Sequence, residues 1–370
     1  MYQGAIIGII ITIFLIIGGF FFKKSVSYFW LQIIWMCILI AGNTDNMDFF
    51  GNSNIYYTAS TDMGSLNNPF TRGYYWLCAV AKNSGMDYIT FNGILATILT
   101  ILIAIIIIKL SSNPSTTASF FMMYPLMSSI IQKRYYLAMA LIILGMYVLL
   151  SKCSRVVKSL LYIMIVTGAV VFHTASIFFY SLIIFWWIPD KYKKNISIGG
   201  MLLMTLMRGK LPSIMTSTND AVLSSKSKFY FETIASNNMW HYLFWICWHL
   251  LFVIVILYLV TKTQAPKIWG DNYTYFLWAI NWWSLLIIPL YSFDPVFTRV
   301  FRCVIFYNYI AISNIFIVKK WEINKKYFEI ITYQASLCLA TFFLINHFAG
   351  APINELVWPL FTNNIFLNLF

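Results

Sequence analysis

The chain has 370 residues, of which 60% are apolar, 19% aromatic and only 10% charged. So few charges cannot cover the surface of a soluble protein of this length, which excludes two or three soluble domains, and disorder, coiled coil and collagen fall on the same figures. A polytopic membrane protein with short loops remains, and the formal charge of +13 has a membrane explanation before a nucleic-acid one, because cytoplasmic loops collect Lys and Arg.

A bilayer core of about 30 Å takes roughly 20 apolar residues per helix. That window predicts about twelve spans, over residues 5–22, 28–41, 89–108, 117–131, 136–150, 159–172, 175–188, 196–207, 242–260, 273–288, 303–318 and 327–345. The expected fold is all-α, one polytopic transmembrane domain over residues 1–370. The first span has no basic residue before it and Lys23-Lys24 after it. A cleaved signal peptide shows the opposite order, so a retained helix with its N-terminus outside is expected. Loops that alternate from Lys23 then hold 15 of the 25 basic residues, from Lys23 to Lys326. Six consecutive basic loops on one side predict both termini on the other. The six cysteines are scattered without CxxC spacing and read as small buried hydrophobes.

Two outside segments are too long for simple turns. Residues 42–84 carry Asn68-Pro69 and a short apolar stretch at 74–81, too short to span, which predicts a re-entrant or interfacial helix. Residues 208–240 are rich in Ser, Thr and Asn and include Pro212, which predicts a lid over a site, with a solvated connector as the alternative. Neither an internal repeat nor a matched pair of broken helices is visible, which disfavours an inverted-repeat transporter.

Ionisable residues set against the charge rule mark candidate chemistry. Lys133-Arg134 sit at the outer turn before the fifth span, Arg299 and Arg302 share one face at i, i+3, and Arg72 precedes the short apolar stretch. Each alone reads equally as a snorkelling anchor. Three outer clusters together suggest an anion pocket, since guanidinium groups bind phosphate oxygens bidentately and stay charged when desolvated. His173 lies at an outer helix end, where a satisfied structural role is the commoner one. His241 and His249 flank the ninth span without a third ligand nearby, so no metal is expected. Asp45 and Asp48 form Asp-x-x-Asp in the first outside loop, either a general base or simply solvated. Tyr and Trp crowd the outer segments, Tyr74 and Tyr75 among them, as interfacial belts do, and aromatic faces also stack on sugars.

The order of these residues is similar to that in the EpsG family of bacterial polysaccharide polymerases, related to O-antigen polymerases (Wzy). Arg134-Tyr135-Tyr136-Leu137-Ala138-Met139-Ala140-Leu141 resembles the family's R-Q-G-L-A-x-A-L segment, and Phe172-His173-Thr174-Ala175-Ser176 its F-H-x-S-A. Thr71-Arg72-Gly73-Tyr74-Tyr75 stands where the family carries Glu-Pro-Gly-aromatic, and Phe297-Thr298-Arg299-Val300-Phe301-Arg302 resembles its C-terminal arginine-rich stretch. Asp45 or Asp48 with Tyr56 and Tyr57 echoes its Asp-then-Tyr loop. The family Glu is absent, and Tyr replaces both the Gln and the Gly of R-Q-G.

The resemblance implies a glycosyltransferase C-like enzyme of the bacterial inner membrane with its active site facing outward. It would join oligosaccharide units on undecaprenyl diphosphate into O-antigen or capsule. The bilayer and that lipid-linked oligosaccharide, as donor and acceptor, are the expected partners, with a chain-length regulator as a candidate and no nucleic acid. Arg134, Arg299, Arg302 and His173 are the expected catalytic residues. Arg72, Lys133, Asp45, Asp48, Tyr74 and Tyr75 are the expected substrate contacts, and no cofactor is expected. Diphosphate is a good leaving group, so neither an acid catalyst nor a metal is required, and the base is His173, Asp45, Asp48 or none. The alternatives are an O-antigen ligase, a lipid-linked oligosaccharide flippase or other transporter, and a membrane acyltransferase.

Overall fold

The computed structural model describes residues 2–60, 72–207, 239–316, 318–319, 322–323, 325–348 and 357–369. Among these residues the protein is all-α. Its helices are α1 (Tyr2–Phe21), α2 (Val26–Gly42), α3 (Phe49–Thr58), α4 (Arg72–Asn83), α5 (Tyr88–Leu110), α6 (Pro114–Met123), α7 (Leu126–Ile131), α8 (Lys133–Leu149), α9 (Arg155–Phe172), α10 (Tyr180–Trp187), α11 (Asp190–Leu206), α12 (Met239–Lys262), α13 (Ala265–Trp269), α14 (Asp271–Ser284), α15 (Thr298–Asn314), α16 (Lys325–Phe348) and α17 (Trp358–Thr362). One short hairpin pairs Val318–Lys319 with Glu322–Ile323.

Each predicted span coincides with helical structure. Among the described residues five helices, α1, α5, α9, α12 and α16, are long and apolar enough to cross a membrane, and Val26–Gly42 and Thr174–Trp187 are shorter apolar helices, so the chain is a multi-pass membrane protein. Where a predicted span is broken, the cause is local. Pro125 separates α6 from α7, and Pro289, which has no N–H to donate, lies in a 3-10 helix (Leu285–Ser292) that continues α14. Outward-facing Ile6, Ile13, Phe14 and Ile17 on α1 are about half or more exposed, as a lipid-facing stripe requires.

The chain divides into two compact units. Unit 1 comprises Met1–Ser151, Leu160–Ser176 and Tyr309–Phe370, and unit 2 comprises Lys152–Ser159 and Ile177–Asn308. At the centre of unit 1 lies α6, with every residue buried. Its sequence is polar for a core, and the hydroxyls are spent on neighbouring backbones. Ser119 donates to the Ile16 carbonyl (2.8 Å), Thr116 to Gly19 (2.9 Å) and Ser115 to Ser25 (2.9 Å). Small side chains allow this close approach. A Cβ on Gly19 would stand 2.1 Å from the Ser119 Oγ, so α1 and α6 meet only because position 19 has none.

Unit 1 has two distinct ends. At one, Lys23 donates to the Phe316 carbonyl (2.9 Å), Ser111 bonds Ser313 (3.1 Å) and Asn314 donates to Leu110 (2.9 Å). Loops predicted on the basic side therefore meet there. At the other, the final residues clasp the start of α1 and the end of α2. The amide of Ile365 donates to the Gly42 carbonyl (2.9 Å) and Asn364 Nδ2 to those of Ile38 (3.2 Å) and Leu39 (3.3 Å). A Cβ on Gly4 would strike the Leu367 carbonyl at 2.0 Å.

Unit 2 also has two ends. Arg155 donates to the Trp186 carbonyl and lies 4.3 Å over the Trp187 ring, while Lys193, Asp190 and Tyr275 form a bonded triangle with sides of 2.6, 2.7 and 2.8 Å. The opposite end carries the start of α12 and the turn between the 3-10 helix and α15.

The cysteines depart from expectation in part. Cys78, Cys303 and Cys338 are buried, but Cys153 and Cys247 are exposed, one in the turn before α9 and one on the outward face of α12. An apolar environment in lipid does not require burial in protein.

Reporter fusions after Lys24, Lys158 and Lys326 are expected to read cytoplasmic and a fusion after Asn54 external. An external signal after Lys158 breaks the alternation. Asn364→Ala strips two α2 carbonyls of their donor in a buried clasp. It is expected to cost about 1–3 kcal/mol, read as a lower melting temperature in detergent.

Candidate functional site

Three of the motifs singled out in the sequence converge in unit 1. Arg72-Gly73-Tyr74-Tyr75 opens α4, Lys133-Arg134-Tyr135 opens α8, and Phe172-His173 closes α9. Gly73 is the contact point between the first and the last, because a Cβ there would lie 2.8 Å from Val171 and 2.9 Å from Phe172. Phe172 in turn packs on the cluster of Tyr56, Tyr74, Cys78, Tyr88 and Phe91 beneath α4. The His173 ring meets Tyr135 edge-on at 5.3 Å, and its Nδ1 accepts the Ala175 N–H (3.2 Å).

Arg134 sits beside this cluster. Burial pushes the Cys78 thiol up to about 12 and the Tyr74 hydroxyl well above its ordinary value, and the Arg134 guanidinium pulls both back. A half-buried arginine beside the phenolic hydroxyls of Tyr74 and Tyr88 is suited to hold an oxyanion. Lys133 has a different setting. It is buried, which lowers its pKa to about 7, and its Nζ donates to the Ile40 carbonyl (2.8 Å) in the last turn of α2, where the negative helix end favours the protonated form. Tyr75 packs half-buried against the same cluster, and Arg72 is exposed at the start of α4. Asp45 and Asp48 are exposed, Asp45 taking a bond from Asn363 Nδ2 (3.3 Å) and Asp48 preceding α3.

Arg299 and Arg302 belong to unit 2, in the first turns of α15, Arg299 half-buried and Arg302 buried. Their surroundings contain a carboxylate that the sequence reading passed over. Asp294 turns the chain from the 3-10 helix into α15, its Oδ1 accepting the Val296 N–H. Burial raises its pKa, and the Val296 amide, Arg299 and His241 act against that rise. The Asp294-Pro295 pair signals a turn in sequence, but nothing there announces His241, 53 positions upstream, as a neighbour. His241 also accepts from Trp245 Nε1 at 3.0 Å. His249, two helical turns on, is completely buried. The predicted lid over 208–240 falls almost wholly outside the described residues.

The family model for EpsG matches residues 26–361, a stretch that takes in every one of these motifs. Comparison with curated proteins and with solved structures gives no match.

Asp294 provides a test of its setting through stability. With its pKa raised in the folded state, the folded protein binds more protons than the unfolded chain above the ordinary carboxyl range, so stability falls as pH rises through that window. Asp294→Asn has no such proton to lose. As pH rises above the ordinary carboxyl range, about pH 4, the melting temperature of the variant is expected to gain on that of the parent. A constant difference would place Asp294 in water.

Proposed function

The chain belongs to the EpsG family, whose membership points to polysaccharide biosynthesis, and on that basis we propose that it is a membrane polysaccharide polymerase. In this reading it crosses the inner membrane about twelve times in a glycosyltransferase C-like arrangement, with its site at the outer face. Its substrates are oligosaccharide repeat units on undecaprenyl diphosphate, joined into O-antigen or capsule. The observation that carries the reading is the meeting of α4, α8 and α9 around Arg134, with Gly73 seated on Phe172. The family-like motifs would have no reason to share one cluster if each were an isolated anchor.

The chemistry follows from charge. A hydroxyl oxygen on the non-reducing sugar of the new unit attacks the anomeric carbon of the growing chain. The bond from that carbon to the diphosphate breaks, and the electron pair leaves with the diphosphate. Negative charge therefore grows on the phosphate oxygens during the step, and fixed guanidinium groups stabilise the transition state more than the ground state. The guanidinium groups offered for this role are Arg134, in unit 1, and Arg299 and Arg302, in unit 2, with Arg72 and Lys133 as further donor contacts and Tyr74 and Tyr75 as aromatic surface for sugar. The acceptor proton goes to a base, for which the candidates are His173, Asp45 and Asp48 in unit 1 and Asp294 in unit 2.

Alanine at Arg134, Arg299 or Arg302 is expected to abolish polymer while leaving expression intact, a loss of about 2.7–4 kcal/mol, or some hundred- to thousandfold in rate. Lysine is expected to rescue only in part, because an ammonium cannot make the bidentate contact. Normal polymer from Arg134→Ala and from Arg299→Ala refutes the site. Loss of the whole protein separates the reading from its rivals: one repeat unit left on the acceptor marks a polymerase, none a ligase, and arrested export a flippase.

A further inference from the structure

Unit 2 encloses a buried polar chain that the reaction as written does not use. His249 lies in the third turn of α12, roughly 15 Å along the helix from its first residue. Its Nδ1 is 2.7 Å from the Tyr291 hydroxyl and its Nε2 is 3.0 Å from Ser284 Oγ. The ring stacks on Phe301 at 3.6 Å and 18°. Ser284 spends its single proton on the Asn281 carbonyl (2.8 Å), and Asn281 exchanges two amide bonds of 2.9 Å with Asn308.

This network fixes the tautomer. Since Ser284 already donates to Asn281, it accepts from His249 Nε2–H, and Nδ1 then accepts the Tyr291 hydroxyl proton. One ring proton satisfies both contacts, and no charge is left in an apolar interior, where it would be costly. The sequence positions give the arrangement its meaning. Ser284 ends α14, Tyr291 lies three residues before Asp294, and Phe301 lies between Arg299 and Arg302. A single imidazole thus grips the last residue before the non-α stretch, the tyrosine before its turn and the helix turn that carries both arginines. The intervening 3-10 helix, interrupted by Pro289, has a weaker hydrogen-bond ladder of its own and depends on outside anchors.

We propose that His249 is a positioning residue, which sets the Asp294–Arg302 turn through Tyr291 and Phe301 so that Arg299 and Arg302 are aligned for a diphosphate. The inference rests on the anion-binding role given to those arginines above.

The test is binding of undecaprenyl diphosphate to the purified full chain in nanodiscs, for His249→Phe, Tyr291→Phe, Arg299→Ala, Arg302→Ala and the His249→Phe/Arg302→Ala double variant. His249→Phe keeps the stacking and removes both bonds, and is expected to weaken binding about tenfold. Tyr291→Phe removes one bond and is expected to weaken it by a smaller factor. In the Arg302→Ala background His249→Phe is expected to add little, because the two act through one contact. A purely structural histidine would lower the melting temperature and leave the affinity of the folded protein unchanged. Parental affinity in both His249→Phe and Tyr291→Phe, with Arg302→Ala impaired, overturns the positioning role and leaves the site standing. Parental affinity in Arg302→Ala and Arg299→Ala removes the anion site and this inference with it. Should His249→Phe fail to fold, Tyr291→Phe decides alone.

Discussion

A helix that ends inside an apolar medium leaves its last carbonyls without water to bond them, and the architecture of this protein is organised around that constraint. The end of α2 takes its donors from Asn364 and from Lys133, residues brought from opposite parts of the chain. The end of α5 takes one from Asn314, that of α10 from Arg155, and the backbone after α15 from Lys23. Each of these bonds ties together elements remote in sequence, and cations are favoured at the negative end of a helix dipole. The consequence for the site is direct. Lys133 fastens the first residue of α8 to α2, and Arg134 follows it, so the capping of one helix delivers the arginine of the next to Tyr74 and Cys78.

The same economy of polar groups governs unit 2. Arg155 and Lys193 are engaged at one end, and His249 uses a single proton to satisfy two hydroxyls in the middle. Asp294 stands at the other end with Arg299 and His241 acting on its charge. Buried polar groups of this kind hold a unique arrangement only when every member is satisfied.

Much of this was legible in the sequence because apolar length is a strong signal. All twelve predicted segments fall on helices, and the arginine, histidine and glycine motifs of the polymerase resemblance gather in order around α4, α8 and α9. Two classes of feature were not legible. The run Ser111–Ser119 reads as a solvated loop running into a span, yet Asn113, Ser115, Thr116, Thr117 and Ser119 are buried. Composition cannot distinguish a hydroxyl facing water from one facing a carbonyl. Asp294 was not legible for another reason, and His249 stood out only as a histidine without a third ligand nearby. Their importance lies in neighbours 53 and 42 positions away, His241 and Tyr291, and no local pattern encodes such distances.

The polar core of unit 1 has a consequence for the order of assembly. Ser111 and Asn113 find their partners at Ser313, some 200 residues later in the chain. At about 5–20 residues per second of synthesis, that partner arrives on the order of ten to forty seconds after α6 has left the ribosome. The stretch 177–308, which lies in unit 2, is completed in the interval. The weakly apolar α6 must therefore wait beside α1 and α2, held by Ser115, Thr116 and Ser119, until the segment from Tyr309 onward closes over it. Glycine at position 19 is the element that makes this early embrace tight enough to last.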